Sequence, residues 1–260
     1  MKSREQLEGR AGQLDGRVAI VTGATSGIGR GVATRFAAEG AVVVAAGRDL
    51  GRGQLLVEEI TAAGGRALFV PTDLALVGDC RRLADRAAEE YGQIDILVNA
   101  AGVFPLGPGL EIDEQLYDRT FDVNVKGAYF AGQAALRHML ARGQGRIINF
   151  CSVASITGMA GGSLYCATKG ALMTLTKAWA VEFGPQGVLV NGIAPGTIET
   201  PMNAHLRVDP QYNAELVSRT PLGRNGQVQD IVPAALLLAG DEGSFFCGSI
   251  IVCDGGWVAQ

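Results

Sequence analysis

The sequence predicts a doubly wound α/β fold, in which helices cover both faces of a seven-stranded parallel sheet. Short β-branched runs alternate with longer helical patterns, and this strict alternation requires right-handed crossovers between parallel strands. The short runs are apolar almost throughout, which is typical of strands buried on both faces. We find no linker, repeat or break in composition, so we predict one domain over residues 15–260 after a polar arm at residues 1–14.

The predicted elements follow each other in a regular order. The strands are expected at residues 17–22, 42–46, 67–70, 94–99, 146–151, 188–193 and 249–253. The helices are expected at residues 27–39, 51–63, 76–91, 113–142, 162–184 and 227–240. The segment at residues 196–226 departs from this alternation, because it carries three prolines and joins the sixth strand to the last helix. A long ordered insertion at this position is typical of a lid over a site.

Composition argues against several classes of protein. The net charge is −4, from 22 basic and 26 acidic residues, which favours neither nucleic acid nor an anionic membrane as a partner. No apolar run approaches the roughly 20 residues that span a bilayer, and residues 1–17 lack the apolar centre of a secretory signal. Five cysteines without a CxxC pair and only two histidines argue against disulfides and a metal site. We therefore expect a cytoplasmic protein with a small-molecule substrate.

Glycine makes up 37 of the 260 residues, about twice its usual share. Three of these glycines lie in residues 22–29, which read TGATSGIG between the first predicted strand and the first helix. Such a turn lets the backbone approach a pyrophosphate, while the helix N-terminus offers free N–H groups and partial positive charge. A purely structural turn is the alternative, but the position favours a dinucleotide. The predicted contacts are Gly23, Thr25, Ser26, Gly27, Ile28 and Gly29.

The end of the second predicted strand bears on the choice of cofactor. An acidic side chain there would bond the ribose hydroxyls of NAD, but this chain has Gly47 followed by Arg48. Arg48 can pair with the 2′-phosphate of NADPH, so the sequence favours NADP(H). The alternative is a solvated arginine beside Asp49, and Ser26 adds no second positive charge in the glycine loop. NAD(H) therefore stays open as a cofactor.

Polar residues also follow the third and fourth predicted strands, at the edge where ligands of open α/β sheets bind. Asp73, followed by Leu74, can accept a hydrogen bond from an adenine amino group or cap the next helix. Asn99, followed by Ala100, is expected to lock the neighbouring turn, and Gly102 to allow close approach of the cofactor. We include all five residues in the predicted cofactor site.

Tyr165 and Lys169 lie four residues apart on a predicted helix and therefore on one face, although an unrelated surface pair is the alternative. The ammonium is expected to lower the pKa of the phenol toward the range of a general acid or base. Ser152, at the end of the fifth predicted strand, can donate to the same substrate oxygen. Asn124 can hold a water that bonds Lys169, or it can be an amide bonded within the core.

With these motifs in this order, the chain resembles the short-chain dehydrogenase/reductase family from residue 15 to about residue 257. The resemblance implies a Rossmann fold and hydride transfer between a nicotinamide and a carbonyl or alcohol. It implies Tyr165 as proton donor, Ser152 as the clamp on the carbonyl, Lys169 on the nicotinamide ribose and Asn124 in a water relay.

The resemblance extends to the segments near the end of the chain. The nicotinamide contacts that it implies are Pro195, Gly196, Ile198 and Thr200, followed by a closing Asp-Gly-Gly at residues 254–256. Members of the family are typically tetrameric, which implies a homotetramer, or a dimer. The contacts implied for it lie in residues 113–142, 162–184 and 249–253.

The substrate pocket is expected between Ser152, Tyr165 and the lid, with mostly apolar walls. The predicted wall residues, each with ordinary core as its alternative, are Val103, Phe104, Ile156, Met159, Met202 and Leu206. This pattern favours NADPH-dependent reduction of a fairly apolar ketone. Two alternatives are a 3-oxoacyl-acyl-carrier-protein reductase, a subgroup that the chain resembles, and an NAD-dependent sugar, polyol or steroid-type alcohol dehydrogenase. A dinucleotide-sensing regulator and a methyltransferase are disfavoured because the tyrosine and lysine are both present.

Overall fold

The computed structural model describes residues 12–260 and contains the predicted strands. In chain order these are β1 (Val18–Thr22), β2 (Val42–Gly47), β3 (Arg66–Pro71), β4 (Ile96–Asn99), β5 (Gly145–Phe150), β6 (Val188–Pro195) and β7 (Ile250–Cys253). All of them pair in parallel within one seven-stranded sheet of order β3-β2-β1-β4-β5-β6-β7. The predicted doubly wound α/β fold is therefore confirmed.

Helices follow the strands on both faces of the sheet. In chain order they are α1 (Gly27–Ala38), α2 (Leu50–Ala62), α3 (Val77–Tyr91), α4 (Glu114–Phe121), α5 (Gly127–Arg142), α6 (Ser163–Phe183), α7 (Ala204–Arg207), α8 (Pro210–Ser218) and α9 (Val228–Ala239). The single helix predicted at residues 113–142 is divided, because a π-helical turn at Asp122–Lys126 separates α4 from α5. A π turn inserts one extra residue into the helical path, and such turns are frequent at functional sites.

Two apolar cores lie against the two faces of the sheet. Phe36 of α1 and Leu56 of α2 are fully buried in the first core, and Leu97 of β4 and Met139 of α5 in the second. Leu14 is also buried in the first core, and its N–H donates to the carbonyl oxygen of Glu39 (2.9 Å). The predicted polar arm therefore ends before Leu14, and residues 1–11 lie outside the described residues. No helix among residues 12–260 has both the length and the apolar character needed to cross a membrane.

The strand order changes direction between β1 and β4, which lie side by side while β2 follows β1 on its other side. In open α/β sheets a crevice forms at this switch point, beyond the carboxyl ends of the strands. The register pairs Thr22 with Asn99, and Asn99 with Asn149. The loops that follow β1, β4 and β5 therefore leave the sheet at one level and surround the crevice.

A chain of buried polar groups connects these strands to α6. The Nδ2 atom of Asn99 donates to the Oδ1 atom of Asn149 (3.0 Å), whose own Nδ2 atom donates to the Oγ1 atom of Thr176 on α6 (2.9 Å). Thr176 in turn donates to the carbonyl oxygen of Leu172 (2.8 Å). Since unpaired buried amides are costly, this chain of bonds fixes the position of α6 over the sheet.

The predicted lid, residues 196–226, contains α7 and α8 and is closed at its base. Ile198 and Gly226 form a parallel bridge, and the N–H of Glu199 donates to the carbonyl oxygen of Gly226 (2.9 Å). The two ends of the lid are therefore held together beside the carboxyl end of β6, while α7 and α8 extend over the crevice.

Candidate active site

Two adjoining cavities open at the carboxyl ends of the strands. The first, which we call the glycine-loop groove, has a volume of about 570 Å³ and is lined by the loops after β1, β2, β3 and β4. The second, which we call the tyrosine cavity, has a volume of about 330 Å³ and contains Ser152, Tyr165 and Lys169. The cavities meet at five residues that line both, namely Ile28, Ala100, Gly102, Thr200 and Met202.

The glycine loop has the geometry that close approach of a phosphate requires. Gly23 and Gly27 adopt positive φ angles of 66° and 53°, which favour glycine. A Cβ atom on Gly23 would lie 2.8 Å from the Cα atom of Ala101. Ser26 precedes α1 without a side-chain cap, and the first turn of α1 has no acidic residue. The N–H groups of this helix end are therefore available to an anion, which fits a dinucleotide pyrophosphate.

Thr22 performs the role that the sequence predicted for Asn99. Its Oγ1 atom accepts from the N–H groups of Ala100 (3.1 Å) and Ala101 (3.3 Å), and so holds the loop after β4 against the end of β1. Asn99 is buried beneath the groove and lines neither cavity. Its amide is directed into the protein interior toward Ala128 and Asn149, so the contact of Asn99 with the cofactor stays a prediction.

Two arginines line the groove at the end of β2. Arg48 pairs with no carboxylate among residues 12–260, whereas Asp49, the predicted neighbour, pairs with Arg52 (Oδ2 to Nε, 2.7 Å). The hydrogen bond from the backbone N–H of Arg52, together with this side-chain bond, holds the pKa of Asp49 below its ordinary value. Sequence reasoning missed Arg52, which lies one helical turn beyond Arg48. A Cβ atom on Gly47 would lie 2.8 Å from the Cγ2 atom of Thr25, so the backbone is closely packed where an NAD-binding acid would stand.

Asp73 and Leu74, two of the predicted cofactor contacts, line the groove after β3. The Oδ1 atom of Asp73 accepts from the N–H of Ala75 (3.0 Å), and the N–H of Asp73 donates to Asp79 (2.9 Å). The carboxylate therefore stabilises its own turn, and its remaining oxygen can accept a bond from a ligand in the groove.

The tyrosine cavity brings together Ser152, Tyr165 and Lys169. The Nζ atom of Lys169 donates to the carbonyl oxygen of Phe150 at the end of β5 (2.6 Å) and lies 5.7 Å from the centre of the Tyr165 ring. The Tyr165 ring also packs edge-on against Phe104, with 4.6 Å between ring centres. The Ser152 hydroxyl, which accepts from the N–H of Ala154 (3.1 Å), lines the same cavity as the phenol. The three predicted side chains therefore share one space, next to the point where the cavities meet.

Burial dominates the electrostatics of this cavity. It raises the pKa of Tyr165 to about 12, against a smaller lowering effect of the hydrogen bond with Ser152. It also lowers the pKa of Lys169 to about 8. The expected lowering of the Tyr165 pKa by the ammonium is thus absent in the protein alone, because removal from water disfavours the phenolate more than its neighbours favour it. The same burial makes Lys169 easy to deprotonate.

Asn124 is completely buried in the π turn between α4 and α5. Its Oδ1 atom accepts from the N–H of Val103 (2.8 Å), and its Nδ2 atom donates to Val103 O (2.9 Å) and to Thr168 Oγ1 on α6 (3.1 Å). The side chain thus clamps the loop after β4 to α6. It makes no direct bond to Lys169, so the water relay stays a prediction.

Most of the other predicted contacts line one of the two cavities. Those in the tyrosine cavity are Phe104, Met159, Met202, Leu206, Pro195, Gly196, Ile198 and Thr200. Two of the predicted wall residues do not line the tyrosine cavity. Val103 lines the glycine-loop groove instead, because Asn124 holds its backbone there. Ile156 lines neither cavity and is 47% exposed, because it follows the short turn after Ser152 outward.

The lid contributes polar side chains that the sequence did not single out. Arg207 of α7 and Tyr212, Glu215 and Arg219 of α8 and its end line the tyrosine cavity, with Trp257 beyond β7. The three residues on α8 recur at helical spacing on one face, which is the signal that could have identified them. Within residues 12–260, no group of three or more His, Cys, Asp or Glu side chains is arranged to hold a metal ion.

Comparison with known proteins relates this geometry to a family. A family model described as enoyl-(acyl carrier protein) reductase matches residues 23–258. The 2-dehydro-3-deoxy-D-gluconate 5-dehydrogenase of Escherichia coli is 37% identical, over 95% of this chain and 97% of its own. The L-xylulose reductase of Bos taurus is 40% identical, over 95% and 98% of the two chains.

A solved structure of a dehydrogenase also matches this chain over nearly its whole length. A gluconate 5-dehydrogenase from Burkholderia cenocepacia, in complex with NADP and tartrate, superimposes with a TM-score of 0.92 at 36% identity. The match covers 95% of this chain and 97% of that one. The chain belongs to the short-chain dehydrogenase/reductase family and is an NAD(P)-dependent oxidoreductase that acts on CH–OH groups.

Proposed function

We propose that the protein oxidises a secondary hydroxyl of a small, sugar-type substrate, preferentially with NADP, and reduces the matching ketone in reverse. The observation that carries this proposal is the polar face of the lid, since Arg207, Tyr212, Glu215 and Arg219 line the same cavity as Tyr165. Hydroxyl-rich substrates need such convergent donors and acceptors. Named relatives that act on sugars and sugar acids support the same class.

The expectation of a fairly apolar ketone is therefore replaced by the sugar-type alternative. Apolar residues such as Phe104, Met159 and Leu206 do line the cavity. They form one part of its wall, and the charged residues of the lid form another. Within residues 12–260, Glu215 and Arg219 have no ion-pair partner, and an apolar ketone would offer them none, whereas a hydroxyl-rich substrate can bond both.

In this proposal Tyr165 transfers the proton and Ser152 holds the reacting oxygen. During oxidation Tyr165 acts as the phenolate, formed when the Tyr165–Lys169 pair has lost a proton, and takes the substrate O–H proton while the hydrogen on the carbinol carbon leaves as hydride. A bound nicotinamide supplies the hydride acceptor, or the donor in reverse. Ser152 donates to the oxygen on which negative charge develops. Gly102, which lines both cavities, leaves room for the reacting carbon to approach the cofactor.

Lys169 has two roles in this proposal. Its bond to the carbonyl oxygen of Phe150 fixes the ammonium near Tyr165 and near the junction of the cavities. From there it can bond the nicotinamide ribose. Its low pKa, caused by burial, also lets the Tyr165–Lys169 pair release a proton close to neutral pH.

The homotetramer implied by the resemblance is part of the proposal as well. Large apolar side chains are exposed to solvent in one segment predicted to form its contacts and just before another. Val181 of α6 is 80% exposed, and Phe245, shortly before β7, is fully exposed. Exposed apolar side chains of this kind favour association between copies of the chain.

A substrate panel tests the reaction class. Wild-type protein with NADP⁺ should oxidise sugar acids and alditols faster than apolar secondary alcohols of similar size, as measured by NADPH absorbance. Tyr165→Phe should lose about 100- to 10,000-fold in kcat while NADP⁺ affinity is retained, because it lacks only the proton-transfer group.

Tyr117→Phe is the matched control, since Tyr117 stacks on Phe121 outside the tyrosine cavity. It should retain wild-type turnover. A Tyr165→Phe enzyme with full activity, or a wild type that acts only on apolar alcohols, would refute the proposed function.

The pH dependence follows from Tyr165 and Lys169, which lie side by side in the tyrosine cavity. Lys169 has a pKa of about 8 and Tyr165 one of about 12, so the pair loses its first proton near pH 8 and then acts as a base. We expect kcat for alcohol oxidation to rise with pH through about 8, and kcat for ketone reduction to fall over the same range. In Lys169→Met the phenol titrates alone. The rise in kcat for oxidation and the fall in kcat for reduction should therefore both move to higher pH. Identical pH–rate profiles for the wild type and Lys169→Met would contradict this account.

The preference for NADP rests on Arg48 and is supported by Arg52 nearby. In Arg48→Ala the KM for NADPH should rise about 10-fold, because a charge-assisted bond to the 2′-phosphate is lost. The KM for NADH should change little, because NADH lacks that phosphate. Arg52→Ala is the comparison variant and should have a smaller effect, since Asp49 already pairs with Arg52. An unchanged KM for NADPH in Arg48→Ala would remove the basis of the preference.

A further inference from the structure

The tyrosine cavity has an excess of positively charged side chains. Lys169, Arg207 and Arg219 line it, whereas Glu215 is the one acidic residue among its lining residues. A cavity of one predominant charge attracts ligands of the opposite charge. This balance predicts a ligand with an anionic group, and the three cations differ in whether they are free to bind it.

Two of these cations already have partners within the protein. Lys169 donates to the carbonyl oxygen of Phe150 at the reacting end of the cavity. Arg207 lies 3.6 Å from the carboxylate of Glu199 and donates through Nε to the Oδ1 atom of Asn203 (3.3 Å). The charge of Arg207 is therefore compensated by the lid itself, and its guanidinium holds α7 in place.

Arg219 is held differently. The carbon of its guanidinium lies 4.4 Å from the centre of the Trp257 ring. Within residues 12–260 it has no carboxylate partner within 4.0 Å. Its carbonyl oxygen accepts from the Nε2 atom of Gln260 (2.7 Å), so the end of the chain fixes the backbone at this point too. Stacking on an aromatic ring orients a guanidinium but leaves its in-plane N–H groups free.

We propose that Arg219, oriented by Trp257, is a carboxylate-binding subsite of the tyrosine cavity. The substrate is then a small polyhydroxy monocarboxylate, with its carboxylate at Arg219 and its secondary hydroxyl at Ser152 and Tyr165. A planar guanidinium matches the two oxygens of a carboxylate, which gives both affinity and a fixed direction of binding. The inference rests on the proposed oxidation of sugar-type alcohols and narrows its substrate class. Trp257 is a positioning residue in this arrangement.

The test compares two probes that differ only at one end, D-gluconate and the neutral alditol D-glucitol. In Arg219→Gln, kcat/KM for D-gluconate should fall about 10- to 100-fold, mainly through KM, because a charge-assisted bond made in the bound state is lost. The value for D-glucitol should stay within about two-fold, since it has no carboxylate. Arg224→Gln is the control, because Arg224 pairs with Asp230 outside the cavity, and it should match the wild type with both probes.

The positioning role of Trp257 has its own readout. Trp257→Leu should raise the KM for D-gluconate with little change in kcat, and Trp257→Phe should restore most of the loss because it keeps an aromatic face. An Arg219→Gln enzyme that treats D-gluconate as the wild type does would overturn the carboxylate subsite alone. A wild type that prefers D-glucitol would overturn the subsite and leave the sugar-type reaction intact. A wild type that oxidises neither probe would overturn both proposals.

Discussion

The hydrogen bonds that tie α6 to the end of β5 are the constraint on which the candidate site depends. The Nδ2 atom of Asn149 bonds Thr176, and the carbonyl oxygen of Phe150 accepts from Lys169. Both bonds are buried, and a buried polar group without a partner is costly, so α6 has one favourable position over the sheet. That position brings Tyr165 beside Ser152 and makes Lys169 border the junction of the two cavities.

The fold and the central residues were predictable because their signals are local. Apolar strands and the TGATSGIG turn are continuous stretches of sequence, and parallel strands bring their carboxyl ends to one edge. Tyr165 and Lys169 share a helix face by spacing alone. The distinct roles of Thr22 and Asn99 were not predictable, because they depend on which way a side chain points at a strand end. The register pairs these two residues, yet one faces the loop and the other the interior.

Contacts between distant segments explain what else the sequence left open. Arg219 and Trp257 are far apart in the chain, and only the folded lid brings the guanidinium onto the indole ring. The expectation of an apolar substrate came from counting apolar wall residues, since the charged face of α8 could not be placed in the cavity from sequence. Likewise, the pKa of Tyr165 depends on burial in the folded protein, and spacing on the helix indicated only its charged neighbour.

The most direct test of this account compares two buried strand asparagines, Asn149→Ala and Asn191→Ala. Both side chains are buried and bonded, Asn191 to the backbone of Phe246 and Ser249 away from α6. Each variant should lose about 2 kcal/mol in the free energy of unfolding measured in urea, because bonded partners are left unpaired. Only Asn149→Ala should also lose kcat, under conditions where both variants remain folded. Equal effects of the two variants on kcat would contradict the claim that the Asn149–Thr176 bond positions the reacting groups.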